Sequence, residues 1–153
     1  MKISQTKNFG LVARLSKPVQ DLHFSLYPMH FNQYNCEEVK EFFEKLMENK
    51  NDIFLLLEDD RKAVGYAWIE IKEYKVNPFK KAYKSIYVHQ ISIDDMKRNK
   101  GYGTSLMKYI YNLSYEKGID LVELDYWVEN KVAKEFYKKN NFVKYREFVY
   151  KQL

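Results

Sequence analysis

The chain of 153 residues has only five glycines, and two of them, Gly101 and Gly103, fall within three positions of each other. They interrupt a run that reads as a strand, Ser85–Ile93, and a run that reads as a helix ending near Lys117. Ile86, Val88 and Ile91 are among the apolar positions of the first run. Leu106, Ile110 and Leu113 form the stripe of the second, with Met107 beside them. Gly118 follows where a left-handed helix cap belongs. A strand feeding a glycine-rich turn and then a helix is a strong constraint on fold. The start of such a helix presents unpaired N–H groups and about half a positive charge, which suits a phosphate. Glycine removes the Cβ atoms that would keep a ligand away, and Arg98 and Lys100 add charge at the same place. The rival phosphate motifs fail. The Gly-Lys-Ser/Thr of a P-loop is absent, and Leu106 stands where a dinucleotide fingerprint wants glycine or alanine. Local features alone fit a plain strand–helix turn with solvated Lys and Arg equally well.

The remaining segments read as an α/β chain. Phe9–Leu15 alternates and is expected as a first strand. A helical region starting at Pro18 carries Leu22, Leu26 and Met29, with Pro28 ending or bending it. Glu37–Asn49 is a clearer helix, with a stripe of Val39, Phe42, Phe43 and Leu46. Asp52–Glu58 and Ala63–Tyr74 read as a hairpin joined by the polar turn Asp59-Asp60-Arg61-Lys62. After the glycine turn and its helix, Ile119–Val128 reads as a strand, Asn130–Asn140 as a helix and Phe142–Lys151 as a last strand. The expected order is βααβββαβαβ, an α/β fold on a mixed sheet. No repeat or linker divides the chain, so 1–153 is expected to be a single domain.

Composition narrows the function classes. Hydrophobic residues make up 46% and charged ones 31%, enough for a core under a solvated surface. The longest apolar runs, such as Ile53–Leu57, are too short to span a bilayer. The first residues lack the apolar stretch of a signal peptide, so a cytoplasmic protein is expected. The lone Cys36 rules out an internal disulfide and offers no zinc cluster, and no metal is expected. Residues 1–96 hold 14 basic and 14 acidic groups, while residues 97–153 hold 12 and 7, so the last third carries the whole net charge of +5. Its basic residues are scattered and no nucleic-acid motif accompanies them, so nucleic acid is not an expected partner.

Two blocks of residues resemble a known family. Arg98-Asn99-Lys100-Gly101-Tyr102-Gly103 resembles the Arg/Gln-x-x-Gly-x-Gly/Ala signature of the GNAT superfamily of CoA-dependent N-acetyltransferases. Downstream, Asn130-x-x-Ala133-x-x-Phe136-Tyr137 followed by Asn141-Phe142 is similar to that family's second common block. Asn141 stands where the family usually has glycine; Asn is the next most tolerant residue in left-handed geometry. The resemblance implies a GNAT-like, mostly antiparallel sheet flanked by helices, with acetyl-CoA as cosubstrate. It implies that backbone groups of Ile91, Ser92 and Ile93 hold the acetyl carbonyl and the pantetheine arm. Arg98, Asn99, Lys100, Gly101, Tyr102, Gly103 and Thr104 would cradle the pyrophosphate, and Asn130 would approach the pantetheine while also capping its helix. Tyr137 would protonate the departing thiolate, although by its sequence setting it equally suits a core tyrosine.

A lysine-like amine of pKa near 10.4 is only about 0.04% neutral at pH 7, and removing its proton costs roughly 4.6 kcal/mol. A general base beside it is therefore useful. His89 is the first candidate: by period-2 alternation it shares a face with Tyr87, Ile91 and Ile93, and some family members resemble this chain in placing a histidine there. A hydrogen-bonded strand histidine is the other reading. Glu70, Asp125 and Tyr126 are further candidates for base or amine anchor. Cys36 has no paired histidine in its local sequence, so direct attack by the amine in a ternary complex is expected rather than an acetyl-enzyme. The acceptor is expected to be a small-molecule or peptide amine. A homodimer is compatible with such a fold, and a non-catalytic CoA-binding module is the alternative function.

Overall fold

The computed structural model describes residues 1–153. Its strands are β1 (Lys2–Gln5), β2 (Asp52–Asp59), β3 (Lys62–Tyr74), β4 (Tyr83–Ile93) and β5 (Val122–Leu124). Its helices are α1 (Phe9–Leu15), α2 (Lys17–Leu26), α3 (Cys36–Leu46), α4 (Tyr102–Glu116) and α5 (Lys131–Lys139). The strands lie side by side in the order β1-β2-β3-β4-β5, antiparallel throughout except for the parallel pair β4–β5. The expected class, a mixed and mostly antiparallel sheet flanked by helices, is the observed one. No helix is long and apolar enough to cross a membrane.

Asp52–Leu57 is buried residue after residue because both faces of the sheet are covered. Ile53, Leu55 and Leu57 join Ile86, Val88, Leu106, Met107 and Ile110 in a core under α4. Phe54 points the other way and joins Val12, Ala13, Phe43, Met47 and Tyr66 under α1 and α3. Each fully buried Leu, Ile or Phe contributes roughly 1.5–3 kcal/mol relative to exposure. The β2–β3 hairpin closes through Asp60 and Arg61, both with positive φ (49° and 61°), which gives the turn the twist of its flanking strands.

The ends of the chain differ from the expected order, which the structure corrects to βαααβββαβα. Phe9–Leu15 is a helix, not a strand: the Asn8 side chain accepts the Leu11 N–H at 3.0 Å and caps it, and adjacent Val12 and Ala13 are both buried. The first strand is instead Lys2–Gln5, zipped onto β2. The strand expected over Ile119–Val128 shrinks to Val122–Leu124, and Phe142–Lys151 forms no strand. Alternation makes a segment competent for a sheet, but pairing needs an edge, and β5 offers only three residues. Val143, Phe148, Val149 and Tyr150 consequently stay exposed.

One register shift sets which way the side chains of β4 point. Trp68 of β3 lies opposite Gln90, but its neighbour Ile69 lies opposite Val88, leaving His89 as an extra residue in β4. This bulge reverses the alternation. Ile86 and Val88 before it, and Ile91 and Ile93 after it, all face the α4 core. His89 and Gln90 both turn to the other face, where His89 stacks on Trp68 and Gln90 accepts the Tyr66 hydroxyl. The expectation that His89 shares a face with Tyr87 holds, their rings being 4.8 Å apart. The expectation that it shares one with Ile91 and Ile93 is corrected by the bulge.

Buried Glu123 of β5 accepts hydroxyls from Ser85 (2.7 Å), Tyr145 (2.6 Å), Tyr74 (3.3 Å) and Tyr83 (3.4 Å). Burial alone would raise its pKa, but the hydroxyl donors outweigh it and hold the carboxyl below its ordinary range. A depressed folded-state value stabilises the protein at neutral pH, and that contribution disappears as pH falls through it. Glu123→Gln should therefore flatten the acid limb of a stability-versus-pH curve; an unchanged limb contradicts this account. A Cβ on Gly65 would sit 2.6 Å from the Ser92 carbonyl oxygen of β4. Gly65→Ala should cost about 1–3 kcal/mol in urea unfolding, and an unaltered midpoint would exclude the tight contact.

Candidate functional site

β5 pairs with β4 only across Ile86–Val88 and Val122–Leu124, after which the parallel strands part. His89–Ile93 keeps β3 on one side and has no β5 residue on the other. The parting starts at the bulge. Next to its start the Tyr87 hydroxyl donates to Asp125, linking β4 to the chain leaving β5. Trp127 further along that chain packs against Tyr27, His30 and Phe31, with ring centroids 4.5, 5.5 and 5.0 Å away. The Glu129 N–H donates to the Tyr27 hydroxyl at 3.0 Å, tying the end of α2 to the same wall.

Ile91, Ser92 and Ile93 lie along this parting. Their side chains are committed elsewhere: the two isoleucines pack into the α4 core, and the Ser92 hydroxyl donates to the Leu15 carbonyl at 2.9 Å. Only backbone groups remain to face the cleft. A single 3-10 turn, Asp95–Lys97, then leads to the glycine loop. Arg98 is paired with Asp95 at 2.6 Å. Asn99 and Gly101 both adopt left-handed φ (62° and 81°), which folds the loop back over the start of α4. The first helical bond runs from the Ser105 N–H to the Gly101 carbonyl at 2.9 Å. The N–H groups of Tyr102, Gly103 and Thr104 consequently have no intrahelical acceptor.

The two glycines have different work. A Cβ on Gly101 would meet nothing within 4 Å, so this position is open to a ligand. A Cβ on Gly103 would lie 3.1 Å from the Phe136 ring, so its lack of a side chain lets α4 and α5 approach. The Tyr102 hydroxyl donates to Asp59 at 2.7 Å and pins the loop to the end of β2. Lys100 and Thr104 are exposed.

The second sequence block forms α5. The Asn130 side chain accepts the Ala133 N–H at 3.1 Å, the N-cap expected of it. Asn141 takes the left-handed φ of 63° that ends the helix, and the Phe142 N–H donates to the Tyr137 carbonyl at 3.0 Å. The Tyr137 ring is buried against Phe136 and Phe142, with Tyr126 stacked 6.0 Å away. Burial, with Tyr111 and Asp125 adding to it, raises the Tyr137 phenol well above its ordinary value. It therefore carries its proton at neutral pH.

His89 and Tyr137 do not share a surface. Tyr137 belongs to the core beneath α4, while His89 lies on the α1–α3 face. They can serve one ligand only from opposite sides of the parting. His89 Nε2 is 2.7 Å from Glu70 Oε2, and its ring stacks on Trp68 at 4.1 Å and 17°. Trp68 Nε1 donates to buried Asp52 at 2.8 Å. Lys72 lies 3.8 Å from the Glu70 carboxylate and 3.7 Å from the centre of the Tyr87 ring. Asp52, Glu70 and His89 bring polar atoms within 4.8 Å of one another, and the Glu70–His89 and Trp68–Asp52 hydrogen bonds tie them into one cluster. Sequence reasoning points to Glu70 but misses Asp52 and Trp68. The alternation of β2 and β3 is the available signal, and the bulge that completes the cluster leaves none.

Comparison with known proteins bears on the fold and the family. The family model described as Acetyltransferase (GNAT) family matches residues 18–142. An uncharacterized N-acetyltransferase of Methanocaldococcus jannaschii is 31% identical over 130 residues, 80% of this chain and 54% of the relative. The chain thus spans about half the length of that curated relative. A tetramutant of the BH1408 protein of Bacillus halodurans superposes with a TM-score of 0.93 at 22% identity, covering all of both chains. The aminoglycoside N-acetyltransferase AAC(6')-Iy in complex with CoA has a TM-score of 0.72 at 16% identity, covering 99% of this chain and 93% of its own. With the family model spanning most of its length, both sequence blocks included, the chain belongs to the GNAT acetyltransferase family.

Proposed function

We propose that this chain, acting as one domain over residues 1–153, transfers an acetyl group from acetyl-CoA to a primary amine by direct attack in a ternary complex. The observation that carries this reading is the parting of β4 and β5 leading into a helix start with free N–H groups and an open Gly101. These features fit a long ligand with a phosphate end: the N–H groups of Tyr102, Gly103 and Thr104 suit a pyrophosphate, and Lys100 adds charge. Arg98, held by Asp95, and left-handed Asn99 shape the loop around it. The backbone of Ile91, Ser92 and Ile93 lines the extended part of the site, and Asn130 stands at the start of α5 on its far side. When bound, acetyl-CoA supplies a thioester carbonyl and a thiol leaving group.

The protein's own groups divide the remaining work. Backbone N–H groups at the cleft edge of β4 stabilise negative charge developing on the carbonyl oxygen. His89 takes the proton of the attacking amine. Tyr137 keeps its own proton and donates a hydrogen bond toward the departing sulfur. A thiol of pKa about 8.5 is a stronger acid than this buried phenol, so the hydrogen bond, rather than complete transfer of the tyrosine proton, stabilises the thiolate. Asp52, Glu70 and Asp125 place carboxylates on the His89 face, which favours a cationic small amine or peptide amine over an anionic acceptor.

Purified protein should release free thiol from acetyl-CoA when an amine panel is supplied. CoA binding by calorimetry with no turnover over a broad panel would assign a non-catalytic CoA-binding module instead. Tyr137→Phe should lower kcat by about 100-fold, the scale for losing one hydrogen-bond donor to developing charge, and leave the KM for acetyl-CoA unchanged. Unchanged kcat would remove its catalytic role. The two glycines should separate as well. Gly103→Ala should lower thermal stability, and trimming its neighbour with Phe136→Leu should recover part of the loss. Gly101→Val should mainly weaken CoA binding, since its space is open but its φ disfavours a branched side chain.

A further inference from the structure

We propose that Glu70 is a positioning residue for His89: it holds the neutral imidazole as the Nε2–H tautomer and leaves the lone pair on Nδ1. This rests on the reading of His89 as the general base. The geometry has three parts. Glu70 Oε2 lies 2.7 Å from Nε2, a distance that commits this nitrogen to donating toward a carboxylate. Trp68 lies nearly parallel beneath the ring at 4.1 Å and prevents it from tilting away. Trp68 cannot drift either, because its Nε1–H is bound to Asp52 at 2.8 Å and its ring stacks on Phe54, 5.8 Å away and within 5° of parallel. His89 keeps the face that alternation from Tyr87 gives it, and within that face these side-chain contacts fix the rotation of its ring.

The charges facing the imidazole are Glu70 and Lys72 from β3 and Asp52 from β2, with Tyr87 beside it on β4 and Asp125 behind the Tyr87 hydroxyl. Only Glu70 is within hydrogen-bond distance of a ring nitrogen, and Lys72 partly balances its charge. When the amine attacks the thioester, the N–C bond forms and the C–S bond breaks. The amine proton lands on Nδ1, and the imidazolium is stabilised by the carboxylate at Nε2. Glu70 itself does not change protonation, which is the division of labour between histidine and carboxylate in a hydrolytic triad.

Nitrogen-15 correlation spectra of the His89 ring test the tautomer without turnover. The wild-type protein should show neutral His89 protonated on Nε2. Glu70→Gln, whose amide oxygen still accepts, should keep that tautomer, while Glu70→Ala should lose it. In steady-state assays Glu70→Ala should lower kcat by roughly 10- to 100-fold, within the range a positioned base supplies, with the amine KM changed less than about threefold. Glu70→Asp should recover part of kcat. An Nδ1–H tautomer in the wild type, or in Glu70→Ala the wild-type tautomer or a loss confined to the amine KM, would overturn the assignment; the last result would make Glu70 an acceptor-binding group. Full turnover by His89→Gln would defeat the base reading alone, since the spectra report on the Glu70–His89 pair whatever the rate.

Discussion

The pairing of β3 with β4, and the single residue by which it slips, is the constraint on which the rest of the molecule depends. Without the extra residue at His89, the alternation of Ile86 and Val88 would continue and turn Ile91 and Ile93 out of the α4 core. With it, both pairs pack on that core, and Gln90 joins His89 on the opposite face. The same region is where β5 leaves the sheet. A bulge therefore does two things at once: it preserves the hydrophobic contacts of β4 and turns Gln90 onto the face of His89 beside the strand parting.

A second dependence runs through α4 and α5. Gly103 admits Phe136, and Phe136 in turn packs on Tyr137, so the glycine loop and the buried phenol are mechanically linked. The missing Cβ of Gly103 makes room for helix packing, while that of Gly101 leaves open space at the helix start. Glu123, the middle residue of β5, plays a comparable linking role: its hydroxyl donors include Tyr145 from the otherwise unpaired C-terminal segment. That bond pushes the Tyr145 phenol up to about 12. The paired stretch of β4 and β5 is thus fastened by polar contacts at Glu123 and, next to the parting, at Tyr87–Asp125.

The outcome for individual elements shows which signals carry physical weight. Pro18 at the start of α2, Gly118 after α4 and Asn141 after α5 behave as their local chemistry demands, because caps and left-handed exits depend on a few adjacent residues. Phe9–Leu15 misleads as a strand because seven residues with weak alternation satisfy a short helix equally well. The Asn8 cap decides in favour of the helix. Phe142–Lys151 has the composition of a strand and remains unpaired, since a strand is completed by its neighbour and not by its own sequence.

The sequence by itself determined the family, the order of elements from β2 through α5 and the glycine loop at the start of α4, all carried by motifs and periodicities within a few turns of chain. Only the tertiary structure decided which residues meet. Glu70 and His89 are 19 positions apart and Asp52 and Trp68 are 16 apart, and each pair is joined across neighbouring strands by register. Tyr137 and His89 are expected as partners in one reaction, and the fold sets them on opposite faces of the sheet. Register and bulges arise from the total packing of two cores at once, a free energy that no local segment contains.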